Sequence, residues 1–249
     1  MPVVANRRRW VRRTLLAVAV VSVATGVVLG GMLAYDLTWG NVVSDRTAEQ
    51  LATDLREVWV DERTPTGPER VALDAVTPLA APSINTPFAL LYVPRLVDDV
   101  WGVPIIEGVK QKQLDAGIGH YPTSALPGAI GNFSLFGHRT GNGQPLYRFE
   151  RLVAGDEVIV ETENYWFVYV LKKDKIVSPQ AIGVTSNAPL LELGIPPDKP
   201  YRVITLITCE PRWTDLQRWV WWGELQEVYA HSTPPAAITA VNDARGQAG

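Results

Sequence analysis

The sequence predicts a mainly β domain, a closed eight-stranded barrel with short helices, carried behind one N-terminal transmembrane helix. Three observations predict it: one uncharged apolar run near the N-terminus, about eight short β-branched and aromatic runs after residue 87, and no long helical periodicity alternating with them.

The apolar run is Thr14 to Tyr35, TLLAVAVVSVATGVVLGGMLAY. Its 22 residues span roughly 33 Å as a helix, enough for a bilayer core. A cleaved signal peptide has a shorter apolar core and a small-residue cleavage site. The one A-x-A pattern, Ala17-Val18-Ala19, lies inside the apolar run and not after it, so no convincing cleavage site precedes Asp36 and residues 14–36 are expected to stay as an anchor. A buried core helix is the plainer reading, but no second segment approaches this length. Residues 1–13 carry Arg7, Arg8, Arg9, Arg12 and Arg13 and no acid, which by the positive-inside rule makes them a cytoplasmic basic segment. The remainder then faces outward.

Residues 14–249 carry 18 basic against 26 acidic side chains, an acidic balance that argues against a nucleic-acid partner. The whole chain is 47% hydrophobic, which leaves material for one buried core beyond the apolar run. A single cysteine, Cys209, excludes an intramolecular disulfide. On an exported protein a lone thiol is a liability unless it is buried or used.

Residues 37–87 divide in two. TAEQLATDLREVWV at 47–60 places Leu51, Leu55, Val58 and Trp59 on one stripe, with Thr47 and Gln50 spaced as a capping box, and predicts a short amphipathic helix. Five prolines between residues 64 and 87 then predict a linker. The barrel is expected over 88–231, with strands at 88–93, 103–106, 129–136, 156–162, 165–171, 174–178, 201–208 and 217–229, and short helices around Leu114 and at 188–193. Residues 232–249, small and polar with Pro234 and Pro235, predict a disordered tail. There is no internal repeat, no glycine-rich phosphate loop and no metal-ligand spacing, so neither metal nor cofactor is expected.

Cys209 closes the strand pattern Tyr201 to Thr208, and Glu210-Pro211 follows it. A thiol attacks as thiolate, which a neighbouring imidazolium or guanidinium favours, and a histidine can later protonate a leaving amine. His138 emerges after the 129–136 strand behind Gly137, with His120 and His231 as competitors. Arg218 opens the strand after Cys209, where a guanidinium can donate to an oxyanion, with Arg212 as its rival. Each residue alone has a plain reading: a buried small hydrophobe, a satisfied structural histidine, a solvated edge charge.

Together they carry a family resemblance. Thr205-Leu206-Ile207-Thr208-Cys209 is similar to the TLxTC signature of sortases, Phe136-Gly137-His138-Arg139-Thr140 to the segment around their histidine, and Arg218 to the arginine opening the next strand. Leu91 to Leu96, Gly119 to Gly128 and Gly155-Asp156 extend the likeness over roughly 86–231. Among the classes, YPTSALPG, GHRT and the Cys209-x-Pro211-Arg212 stretch most resemble class E, with class D next.

The resemblance implies a cysteine transpeptidase of Gram-positive surfaces, here actinobacterial. It implies that Cys209 attacks the Thr–Gly bond of an LAxTG or LPxTG sorting signal to form a thioester, which an amine of a peptidoglycan precursor or a pilin lysine resolves. His138 is then acid and base, Arg218 the clamp on oxyanion and substrate, and Tyr121, Thr208, Glu210 and Trp219 line the substrate site, with the main-chain N–H of Glu210 a second oxyanion donor. Glu210 departs from the pattern, because a carboxylate beside a thiol opposes its ionisation unless it turns away toward Arg212. Trp219 and Trp221 alternate with Arg218, Val220 and Trp222 along one strand, so one of the two faces packs the barrel and the other is free for a groove or a bilayer interface. The competing function is a membrane-tethered, non-catalytic β-barrel binding module, which leaves the His–Cys–Arg order unexplained.

Overall fold

The computed structural model describes residues 3–61, 70–186 and 188–246. The chain divides into two compact units, Met1–Gly40 and Asn41–Gly249. Helix α1 (Val3–Asp61) supplies all of the first unit's described length and ends within the second. Trp10–Met32, 23 residues with mean hydropathy 2.3 and none of it buried, is long and apolar enough to cross a membrane. The side chains of residues 1–9, three of the five arginines included, lie outside the described residues.

In the second unit eight strands close into a barrel: β1 (Pro87–Tyr92), β2 (Trp101–Glu107), β3 (Ile118–His120), β4 (Gly131–Phe136), β5 (Glu157–Glu161), β6 (Tyr165–Val177), β7 (Arg202–Glu210) and β8 (Gln217–Ala230). Their order around the wall is β1-β2-β3-β4-β7-β8-β6-β5, and antiparallel pairing of β1 with β5 closes it. The β2–β3 and β4–β7 pairs are parallel. Helices α2 (Gln111–Ala116) and α3 (Ala188–Leu193) sit where short helices were expected.

The alternation of a pleated strand sorts every wall residue to one of two faces. Ala89, Leu91, Phe133, Leu135, Val158, Val160, Phe167, Tyr169, Ile204, Leu206 and Trp221 meet in one interior cluster. Their neighbours face out. Leu90, Tyr92, Ile159, Trp166 and Val168 form a second cluster with Ala52 and Trp59 of α1, and Val203, Ile207, Val220 and Trp222 form a third, with Val184.

Four local expectations are corrected. The two strands expected at 165–171 and 174–178 are one, β6, whose exposed charged middle at Lys172–Lys175 hides the continuity from a hydrophobicity reading. β3, only three residues long, carries too little pattern to register. No helix starts at Thr47: α1 is already formed there, and the threonine hydroxyl donates back to the Val43 carbonyl at 2.9 Å instead of capping. Residues 64–69 of the expected linker lie outside the described residues, while Val71, Leu73, Val76 and Leu79 pack against the barrel core, and Val71 N donates to Val228 O at 2.8 Å.

The tail expected as disordered from Ser232 forms helix α4 (Ala236–Gly246). Pro235 opens it, its carbonyl accepting from Ile238 N and Thr239 N, a position where a missing N–H costs nothing. Ile238 is buried in the cluster with Trp59 and Trp166, Asn242 accepts from Trp101 Nε1 at 3.2 Å, and Arg245 donates to Val97 O at 2.8 Å. Helix propensity of the alanine-rich run, together with one apolar anchor, outweighs the polar composition that suggested disorder.

Candidate active site

β4 and β7 run parallel with Phe136 opposite Ile207, so His138 and Cys209, each two residues further along, emerge at the same end of the barrel. Cys209 pairs directly with Arg218 across β7 and β8, which places the two side chains on the same face. That face is the outer one, continuous with Ile207, Val220 and fully buried Trp222.

The backbone here is closely fitted. Gly137 N donates to Ile207 O at 3.1 Å, and a Cβ at Gly137 would come within 2.7 Å of Ile118 and 2.8 Å of Leu146, so a larger residue here would have to displace those two buried side chains. Thr208 Oγ1 donates to Gly137 O at 2.8 Å, fixing the residue before the cysteine to the residue before the histidine.

Neither prospective partner makes a hydrogen bond to the thiol. Cys209 is partly buried and, among the described residues, makes no side-chain hydrogen bond. His138 Nε2 lies 3.2 Å from Asp115 Oδ1 and 3.2 Å from Gln111 Nε2, both on α2. Arg218 Nη1 donates to the carbonyls of Asp215 at 2.8 Å and Gln217 at 2.9 Å. Catalytic hydrogen bonds are often long or unmade before substrate binds and tighten in the complex.

Of the four expected substrate-lining residues, one shares the outer face and three do not. Tyr121 is half-buried with its ring 6.1 Å from that of Phe136, on the outer side. Thr208, Glu210 and Trp219 alternate to the inner side. Thr208 is 2% exposed and already bonded to Gly137 O. Trp219 sits 5.7 Å from Phe149, packs on the interior cluster and donates through Nε1 to Asp174 at 2.8 Å.

Glu210 also turns inward, away from the thiol, but its partner is Arg139 and not Arg212. Arg139, 5% exposed, closes the barrel end: it binds Glu210, Cys209 O at 3.3 Å and Glu150 at 3.2 Å, with its guanidinium 5.1 Å above the Trp219 ring. Arg212 instead pairs with Glu150 and stacks 4.4 Å from the Tyr147 ring. Burial pushes the Glu150 carboxyl up, but hydrogen bonds from Arg212 and Arg139 outweigh it and hold the group below its ordinary value. The carboxylate beside the nucleophile is therefore neutralised on the far side of the strand. Arg139 stands next to His138 in the sequence, but its partners Cys209 and Glu210 are 70 and 71 residues away and leave no local signal.

His120 and His231, the competing histidines, are held elsewhere. His120 Nδ1 is 2.5 Å from Glu107 inside the wall, and His231 Nε2 is 2.8 Å from Glu161 beneath Trp59 and Trp166.

A closed eight-stranded barrel with a cysteine, a histidine and an arginine at one end defines the class, and comparison with known proteins agrees with it. Residues 91–226 match the Sortase domain family. Sortase SrtE2 of Streptomyces coelicolor is 32% identical over 94% of this chain and 92% of its own length. Sortase SrtE1 of the same organism is 34% identical over 85% of this chain, which spans 57% of that protein. The crystal structure of Sortase E1 from Streptomyces coelicolor with a tripeptide in its active site superposes with a TM-score of 0.56 at 37% identity, covering 61% of this chain and 96% of that one.

The chain belongs to the sortase family of transpeptidases. Within it, the likeness is to class E.

Proposed function

We propose that this protein is a membrane-anchored transpeptidase that cuts an LAxTG- or LPxTG-type sorting signal between Thr and Gly and transfers the acyl part to an amine. Cys209 Sγ attacks the threonine carbonyl, and His138 takes the thiol proton and gives it to the leaving glycine amine. The resulting thioester is attacked by an amine of a peptidoglycan precursor or a pilin lysine, whose proton leaves through His138, and the thiol is restored. Arg218 donates to the oxyanion and to substrate carbonyls, and Tyr121 contacts the signal. The single observation that carries this reading is the direct pairing of Cys209 with Arg218 at the barrel end from which His138 emerges.

Trp10–Met32 serves as the anchor, supported by its length, its hydropathy and the arginines that precede it. Those arginines favour a cytoplasmic N-terminus and an extracellular barrel.

Full chain in detergent micelles is expected to cleave an LAxTG peptide and join it to added oligoglycine. Cleavage without ligation favours a peptidase. No cleavage together with a thiol inert to alkylating reagents favours a non-catalytic barrel.

A further inference from the structure

We propose that Asp115 is a positioning residue for His138, fixing which ring nitrogen carries the proton. The inference rests on the reading of His138 as the acid and base.

Asp115 Oδ1 is the centre of a small converging set. It accepts from Gln111 Nε2 at 2.7 Å and from Asn142 Nδ2 at 2.7 Å, and it stands 3.2 Å from His138 Nε2. Asp115 reaches this point from α2 and Asn142 from the loop that follows the histidine, so two separate segments aim at one oxygen. The His138 side chain is 19% exposed, which limits the water that competes for its nitrogen.

A neutral imidazole holds one proton, and the hydrogen bond at one nitrogen decides the state of the other. Gln111 Nε2 also lies 3.2 Å from His138 Nε2, but it donates to Asp115 Oδ1 at 2.7 Å, and the charge-assisted bond to the carboxylate is the stronger, so the proton stays on His138 Nε2 and Nδ1 keeps its lone pair. Nδ1 is then the atom that takes the Cys209 thiol proton and later passes it to the leaving amine. Asp115 holds the Nε2 proton throughout and gains none itself.

The loop is braced from behind. Asn142 and Gly143 both have positive φ, 45° and 77°, and Gly143 N donates to Asn41 Oδ1 of α1 at 3.1 Å. A Cβ at Gly143 would come within 3.2 Å of Ser44 Cβ. The end of α1 that belongs to the barrel unit thus supports the asparagine that shares the carboxylate oxygen.

The test uses full chain in micelles with ring-15N-labelled histidine, an LAxTG peptide and oligoglycine. In the wild type, long-range proton–nitrogen correlations are expected to show neutral His138 protonated on Nε2. Asp115→Ala is expected to give mixed tautomers and to lower kcat about tenfold or more, part of the roughly 10²–10⁴-fold that acid–base help supplies. KM is expected to stay within about twofold, since the interaction acts on the reaction and not on substrate binding. Asp115→Glu should restore most of both readouts, and Lys112→Ala, on the exposed side of α2, should change neither. An Asp115→Ala enzyme with wild-type kcat, or one that loses kcat while the His138 tautomer is unchanged, overturns the proposal. If the wild type ligates nothing, or His138→Ala still ligates, it is the parent reading that fails, and the tautomer of Asp115→Ala against the wild type decides this one separately.

Discussion

Thr208 Oγ1 donates to the carbonyl of Gly137 across 2.8 Å, so the residue before Cys209 is tied to the residue before His138. The bond joins two strands whose pairing otherwise ends a residue earlier, and it does so where thiol and imidazole must be held in one frame.

Thr208→Val keeps the shape but leaves the Gly137 carbonyl without its donor. The expected cost is about 1–3 kcal/mol in urea unfolding, with a matching fall in peptide ligation. Thr208→Ser should keep most of both.

Arg218→Ala is expected to lower kcat about 10²-fold or more while thermal unfolding stays within a degree or so of the wild type, the scale of losing one oxyanion donor. Arg212→Ala removes a partly exposed pair with Glu150 and should cost less than about fivefold. Steady-state ligation rates of the two variants rank them, and the reverse order would move the clamp to Arg212.

Arg139→Met leaves Glu210 and Glu150 facing the barrel end without their shared buried cation. Stability is expected to fall by about 3 kcal/mol or more, as for breaking a buried pair from one side. Glu210→Gln should change the iodoacetamide alkylation rate of Cys209 by less than about threefold, because the carboxylate is already paired on the far face. A large acceleration in Glu210→Gln would mean that the carboxylate acts on the thiol after all.

Glu150 predicts an acid-sensitive increment of stability. Its folded-state pKa lies below the ordinary 4.5, so its contribution is fully present above that value and is lost as pH falls through the lower, folded one. Because the side chain is 39% exposed, the amount is about 1 kcal/mol or less. Glu150→Gln should therefore be less stable than the wild type at about pH 7, with the gap closing in urea titrations as pH falls below the ordinary 4.5 and through the lower folded-state value.

Ile238→Ala removes the apolar anchor of α4 and is expected to cost about 2 kcal/mol, read as a fall of roughly 4–8 °C in Tm. A fragment beginning at Asn41 should melt higher than one beginning at residue 86, which lacks Ala52, Arg56 and Trp59; Arg56 Nη2 donates to the Tyr92 hydroxyl at 2.9 Å.

Local pattern was enough for much of this molecule. Hydropathy alone marks the apolar helix, because crossing a bilayer depends on length and composition and not on what packs nearby. Period-two runs mark the barrel strands, and the order of His138, Cys209 and Arg218 marks the family. The same alternation also separates Cys209 from Glu210, one outward and one inward. What Glu210 meets inside is another matter: Arg139 is 71 residues away in the chain and arrives only because β4 and β7 lie parallel. Asp115 likewise reaches His138 across 23 residues through the placement of α2, and the helix after Pro235 is anchored where Ile238 is buried with Trp59 and Trp166. Hydrogen bonds and burial between distant segments leave no periodic trace in the chain, so these relationships were decided by the tertiary structure.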